Sequence, residues 1–187
     1  MKTAIIEDGI EYVGDYVLYQ DHSNLTSLKI SDSVKAIGGH AFISSVKLTS
    51  LTIGTSVEFI GEAAFSSCIR LKSVEIPNSV KRIGKNAFGS CPNLTSIVLS
   101  SSLTEISEAA FSYDESLTSV IIPNSVKRIN IGAFESCTSL ESVTLPNNSN
   151  LLMDWACFRK CTSLKTITIP NLVSRFDNSP FFLNVGI

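Results

Sequence analysis

LKSVEIPNSVKRIGKNAFGSCPN, residues 71–93, decides the fold, because the chain repeats it on both sides. Its opening hexad returns as LTSLKI from Leu25, LTSLTI from Leu48, LTSIVL from Leu94, LTSVII from Leu117, LESVTL from Leu140 and LKTITI from Leu164, at steps of 23 residues five times and then 24. Its second half returns as SVKAIGGHAF ending at Phe42, SVEFIGEAAF at Phe65, SLTEISEAAF at Phe111 and SVKRINIGAF at Phe134. Phe158 continues the column after one residue inserted between Pro146 and Trp155. A shift of 24 pairs Ile6 with Ile30, Ile10 with Val34, Val13 with Ile37, Gly14 with Gly38 and Leu18 with Phe42. At the far end Val173, Phe176 and Phe181 fall where Val126, Ile129 and Phe134 predict. Eight units, 1–24, 25–47, 48–70, 71–93, 94–116, 117–139, 140–163 and 164–187, therefore account for the chain as a single domain with no linker. A fixed period in this range is the signature of a stacked architecture, in which each unit contacts only its neighbours.

Each unit reads as a strand, a turn and a compact return. In residues 48–53 the apolar Leu51 and Ile53 alternate with polar neighbours, as a strand buried on one side requires. Pro-Asn or Gly-Thr then marks a turn. The stretch around Ala64 and Phe65, closing on Cys68, puts two apolar side chains three positions apart, the spacing of a single helical turn. The expected fold class is α/β: a solenoid with a parallel β-sheet on one wall and short helical or irregular returns. Leu28, Leu51, Val74, Ile97, Val120, Val143 and Ile167 form one expected core column, and Ile30, Ile53, Ile76, Leu99, Ile122, Leu145 and Ile169 a second, with the Phe residues as a third. The recurring Ile-Gly at Gly38, Gly61 and Gly84 marks a tight backbone position in the coils.

The run from Ile76 to Leu94 resembles the BspA-like leucine-rich repeat family nearly position for position, through I-P-x-S-V, x-x-I-G, x-x-A-F, x-x-C and x-x-L. That resemblance extends over essentially the full chain. It implies a leucine-rich-repeat solenoid, and it implies a cell-surface or secreted protein with adhesion to host or matrix proteins as its associated role. The N-terminus, with acids at Glu7 and Asp8, shows no apolar signal-peptide core, which keeps a cytoplasmic location as the alternative.

Composition excludes more than it selects. With 15 basic and 17 acidic residues in 187, and no run of five or more like charges, nothing creates the field that nucleic acid requires. No apolar run approaches the roughly 18 residues of a membrane span. Cys68, Cys91, Cys137 and Cys161 share one column, but coils repeat at about 4.8 Å, so four thiols spread over that column cannot converge on one zinc. A Cys68–Cys91 disulfide is sterically conceivable, while small buried packing residues are the plainer expectation. Cys157 sits in the column of Ala41, Ala64, Ala87, Ala110 and Ala133 and reads as a packing residue. His22 and His40 read as turn residues without a nucleophile partner. No catalytic, cofactor-binding or metal-ligating set emerges, and the expected function is non-catalytic.

Binding information lies in the exceptions. Outward residues of the strands form a uniform column, Ser27, Ser50, Ser73, Ser96, Ser119, Ser142 and Thr166, and a varied one, Lys29, Thr52, Glu75, Val98, Ile121, Thr144 and Thr168. In the second, Val98 and Ile121 are adjacent apolar residues on a polar face, a pattern that marks a partner site. Unit 94–116 departs elsewhere: Ser107 replaces the Gly, Asp114 the Cys, and Tyr113 stands where Ser44, Ser67, Ser90 and Ser136 stand. Its closing turn is expected to be more exposed, making Tyr113, Asp114 and Glu115 a second candidate edge. Trp155 is expected to fill the space the inserted residue creates. Lys81, Arg82, Lys127 and Arg128 share a column diluted by Glu58, Phe59, Thr104 and Glu105, a weak basis for anion binding. The expected partner is a protein, either a host or matrix protein or another subunit. The ends look uncapped, with a strand opening near Met1 and Phe181-Phe182-Leu183 at the other end. A structural spacer or scaffold that self-assembles through those ends is thus the alternative function.

Overall fold

The computed structural model describes residues 2–18, 24–148 and 150–169. Val173, Phe176 and the Phe181-Phe182-Leu183 segment lie outside them, as do His22 and Met1. Fifteen short strands alternate between two walls. The first wall carries β1 (Thr3–Ile6), β3 (Ser27–Ile30), β5 (Ser50–Thr52), β7 (Ser73–Glu75), β9 (Ser96–Val98), β11 (Ser119–Ile121), β13 (Ser142–Thr144) and β15 (Thr166–Thr168). The second carries β2 (Tyr12–Val13), β4 (Ala36–Ile37), β6 (Phe59–Ile60), β8 (Arg82–Ile83), β10 (Glu105–Ile106), β12 (Arg128–Ile129) and β14 (Leu152–Met153). All pairings are parallel and in the repeat register, Leu28 beside Leu51, Val74 beside Ile97 and Val120 beside Val143 on the first wall, Ile37 beside Ile60 and Ile60 beside Ile83 on the second.

The second wall is absent from the sequence-based expectation, which placed a parallel sheet on one wall only. In each coil a two-residue strand forms there, its first side chain outward and its second buried, as in Arg82 and Ile83. Two residues are too few for alternation to be read from sequence. They hold because neighbouring coils supply the hydrogen bonds, in two runs, β2-β4-β6-β8 and β10-β12-β14.

Of the helical or irregular returns expected, none is helical: among the described residues there is no helix. The chain is a parallel β-solenoid, not an α/β fold. Each return contains two residues in the left-handed region: His40, Ala63, Asn86, Ala109, Gly132 and Ala156 at the first site, Ser44, Ser67, Ser90, Tyr113, Ser136 and Lys160 at the second, with φ between 49° and 61°. A left-handed residue every four positions prevents helix propagation. The backbone bonds go elsewhere. Alternate N–H groups donate to the next coil, His40 to the Glu62 carbonyl, Phe42 to that of Ala64 and Ser44 to that of Ser66, and the intervening ones close turns within the coil, Ile43 onto His40 and Ser45 onto Phe42. The return is thus a lateral ladder, and its buried polar backbone is satisfied between coils.

Inside, six phenylalanines, Phe42, Phe65, Phe88, Phe111, Phe134 and Phe158, form a continuous stack with ring centroids 5.2–5.8 Å apart, all fully buried. Leu28, Val74, Val120 and Val143 are buried, while Leu51, Ile97 and Ile167 are only partly covered. In the second expected column Ile30, Ile53, Ile76, Leu99, Ile122 and Leu145 are buried, and Ile169 is 47 % exposed, a correction to its expected core position; it is the last described residue of its coil. Coil approach is close at Gly61 and Gly84: a Cβ there would lie 2.5 Å from the Gly38 carbonyl carbon and 2.6 Å from that of Gly61. At the equivalent positions of the next coils, Ser107 hydroxyl and Asn130 amide groups instead donate to the carbonyls of Ile83 and Ile106.

Candidate interaction surface

The first wall presents Lys29, Thr52, Glu75, Val98 and Ile121 to solvent and leaves Thr144 half-buried. Parallel register sets them in one line, Ile5 beside Lys29 beside Thr52, Glu75 beside Val98, and Ile121 beside Thr144 beside Thr168. Val98 is 58 % exposed and Ile121 71 %, so two adjacent coils hold aliphatic side chains in water. Both stand there because the pleat turns Ile97 and Val120 inward, and those inner positions hold the strands in the stack.

Beside this column runs the turn that follows each first-wall strand. An alternating ladder of side-chain acceptors fixes it: Thr55 donates its backbone N–H to Asp32 Oδ1 at 2.6 Å and its hydroxyl at 2.9 Å. Ser101 N–H donates to Asn78 Oδ1 at 2.9 Å, and Asn147 N–H to Asn124 Oδ1 at 2.8 Å. The Thr55 bonds, with help from the Lys29 charge, hold the Asp32 carboxyl below the usual carboxylate range, so it is ionised. Between column and turn lie three shallow depressions: Asp8, Lys29, Asp32, Thr52 and Thr55 line the first, Thr52, Glu75, Pro77 and Asn78 the second, and Val98, Ser101, Ile121 and Pro123 the third. Sequence reasoning missed this edge, although the recurrence of Asp32, Asn78 and Asn124 in alternate coils was the available signal.

The second candidate edge is corrected. Tyr113 is 47 % exposed and Glu115 is exposed, but Asp114 is fully buried. It occupies the inward cysteine position, and the period places its side chain whatever its polarity; the column runs Ser45, Cys68, Cys91, Asp114, Cys137, Cys161. Tyr113 and Glu115 belong to the closing return, so they do not join Val98 and Ile121. Trp155 is likewise not a plug: it is 44 % exposed beside the Arg159 guanidinium, 5.8 Å from its ring centre. Ile131, in the preceding coil, is 48 % exposed. His40 stacks on Tyr16 with ring centroids 4.8 Å apart.

All five cysteines are buried and unbonded to one another. Four thiols cap carbonyls of the preceding coil, Cys68 to Phe42, Cys91 to Phe65, Cys137 to Phe111 and Cys161 to Phe134. A hydrogen bond with Cys68, and then burial, pushes the Cys91 thiol up; burial does the same for Cys137 and Cys157. Burial thus favours the protonated thiol, the less reactive form. Among the described residues no cluster of His, Cys, Asp or Glu has the arrangement of a metal site, and no helix is long and apolar enough to cross a membrane. The basic column is engaged locally: Lys81 pairs with Glu58 at 2.8 Å, Arg82 lies over the Phe59 ring, and Arg128 pairs with Asp154 at 2.9 Å.

The sequence matches the BspA type leucine-rich repeat region in six copies, over residues 1–118 and 59–185. Among solved structures it is similar to the leucine-rich repeat protein of T. pallidum, with a TM-score of 0.82 and 28 % identity over 94 % of this chain and 85 % of that one. A leucine-rich cell surface protein of Faecalibacterium prausnitzii matches with a TM-score of 0.54 and 25 % identity over 90 % of this chain and 59 % of that one. A leucine-rich repeat protein of Eubacterium ventriosum, 19 % identical, shares the fold with a TM-score of 0.74 over 96 % of this chain and 58 % of its own length. No curated protein matches the sequence.

Proposed function

Because the chain belongs to the BspA type leucine-rich repeat family, we propose that it is a non-catalytic protein-binding module of a cell-surface or secreted, adhesin-like protein, engaging its partner through the first wall. The observation that carries this reading is the exposure of Val98 and Ile121 on adjacent coils of a face whose outward line is otherwise polar from Lys29 to Thr168, with exposed Ile5 in the first coil. Apolar area held in water by stacked coils is surface that association removes from solvent at little cost in ordering the site. A family-level argument supports the compartment: one similar protein is itself a cell surface protein.

The test begins with a partner captured from host-cell or matrix proteins and identified by mass spectrometry. A Val98→Asp/Ile121→Asp variant should bind that protein at least tenfold more weakly with unchanged thermal unfolding, while Lys81→Glu on the second wall binds as the wild type. Unchanged binding by the double variant overturns the reading.

A further inference from the structure

We infer that the three depressions along the first wall form one groove for an extended segment of a partner protein, a segment carrying basic residues about four positions away from bulky apolar ones. The inference rests on the protein-binding reading above and adds the chemistry of what binds.

The groove changes character along its length. At the coil-one end it is lined by Asp8 and Asp32, with Glu75 two coils beyond Asp32; against these three acids stands a single cation, Lys29. At the other end it is lined by Val98, Ile121 and Pro123, without a charged residue. Asp32 is tied by Thr55 and held ionised, so the acidic end is both fixed in place and charged. An acidic stretch followed by an aliphatic one is complementary to a segment that is basic and then apolar.

Geometry sets the spacing. Asp32 belongs to the coil of β3 and Val98 to that of β9, three coil steps apart. At about 4.8 Å per step this is roughly 14 Å, which an extended chain rising about 3.4 Å per residue covers in about four residues. A helix would need about nine residues for the same span, at 1.5 Å each. The groove is shallow and follows the coil stack, which fits an extended strand.

Fluorescein-labelled peptides provide the probe. One has two lysines, a three-residue Thr/Ser spacer, then Leu and Phe; in the others Glu replaces Lys, Ser replaces Leu and Phe, or the spacer is lengthened to eight. Measured by fluorescence anisotropy in low salt, the first peptide should bind at least fivefold more tightly than each of the others. Asp32→Asn/Glu75→Gln should erase the preference of Lys over Glu; Asn retains the Oδ1 acceptor for Thr55, and thermal unfolding checks the fold. Absence of binding by the lysine peptide, equal binding of the Lys and Glu peptides, or a preference that survives in the variant overturns the inference. Equal binding of Lys and Glu peptides that is nonetheless lost in Val98→Asp/Ile121→Asp would remove the charge rule alone and leave the wall as the binding face.

Discussion

Asp114 Oδ1 accepts the backbone N–H of Cys91 at 2.8 Å, and its second carboxyl oxygen, equally buried, meets no hydrogen-bond partner among the described residues. Burial, reinforced by Cys91, drives the carboxyl well above its ordinary value, so the folded chain favours the neutral acid. The sign follows from linkage. A carboxyl whose folded value exceeds its unfolded one holds its proton more tightly when folded, so stability falls as pH rises above about 4. Asp114→Cys, restoring the residue of the neighbouring coils, should therefore stabilise the protein at pH 7, by about 1 to 3 kcal/mol. The gain should shrink toward pH 4. Urea unfolding of both proteins at pH 4 and pH 7 checks it; a variant less stable than wild type at pH 7 contradicts the account.

The four cysteines of that column, and Cys157 of the alanine column, predict silence. Cys68, Cys91, Cys137, Cys157 and Cys161 are buried, and four of them donate to Phe carbonyls. In native buffer none of the five should react with a thiol-specific disulfide reagent on the minute scale, and all five should titrate once the chain is denatured. A native thiol that reacts at the rate of a free peptide cysteine would show that its coil opens locally.

Ala109 tests the returns. In a helical return Ala→Gly costs about 1 kcal/mol. Here Ala109 has a φ of 52°, where a Cβ costs about 1 to 2 kcal/mol and Gly none. Ala109→Gly should leave the midpoint of thermal unfolding unchanged or raised, and the reverse change at the next coil, Gly132→Ala, should lower it. A clear loss on Ala109→Gly would argue for the helical alternative.

That contrast also locates what the sequence could reveal. Leu28, Val74, Val120 and their outward neighbours were legible because alternation with a period of two survives over a strand and is repeated in coil after coil. Ala-Phe-x-x-Cys misled because an apolar pair three apart has the same appearance in a helix and in a laterally bonded return. Asp114 misled for the opposite reason: its polarity suggested surface, while its register fixed it inside. Val98 and Ile121 were visible as exceptions within a column. Asp32, by contrast, could be connected with Val98 only once three coils were stacked, since no local spacing in the chain relates the two.

Arg128 and Asp154 offer a measure of how the longer coil is held. The guanidinium makes two bonds to the carboxylate, Nε at 3.0 Å and Nη2 at 2.9 Å, and the Asp154 side chain is 15 % exposed. The pair bridges coils 26 residues apart, across the stretch that contains the inserted residue. The Lys81–Glu58 pair, more than half exposed on both sides, should contribute little, because water screens it. Asp154→Ala should thus destabilise more than Glu58→Ala in equilibrium denaturation, and high salt should narrow the difference only slightly. Equal effects would mean that the paired geometry adds nothing.

The phenylalanine stack carries the last expectation. Each inner ring stacks on one ring above and one below, Phe111 lying 5.8 Å from Phe88 and 5.4 Å from Phe134. In a stack whose coils contact only their neighbours, removing an inner ring weakens two interfaces at once. Phe111→Ala should cost about 3 to 5 kcal/mol, since the fully buried site leaves a cavity that rigid backbone ladders on either side cannot close. The loss should also be local in a telling way. Hydrogen exchange should speed first at the amides of Phe88, which bonds the Ala110 carbonyl, and of Phe111, which bonds that of Ala133, before the outer coils follow. Uniform acceleration along the chain would mean that the solenoid unfolds as one unit, and a fall of only a degree or two in melting temperature would mean that the column does not bear the core.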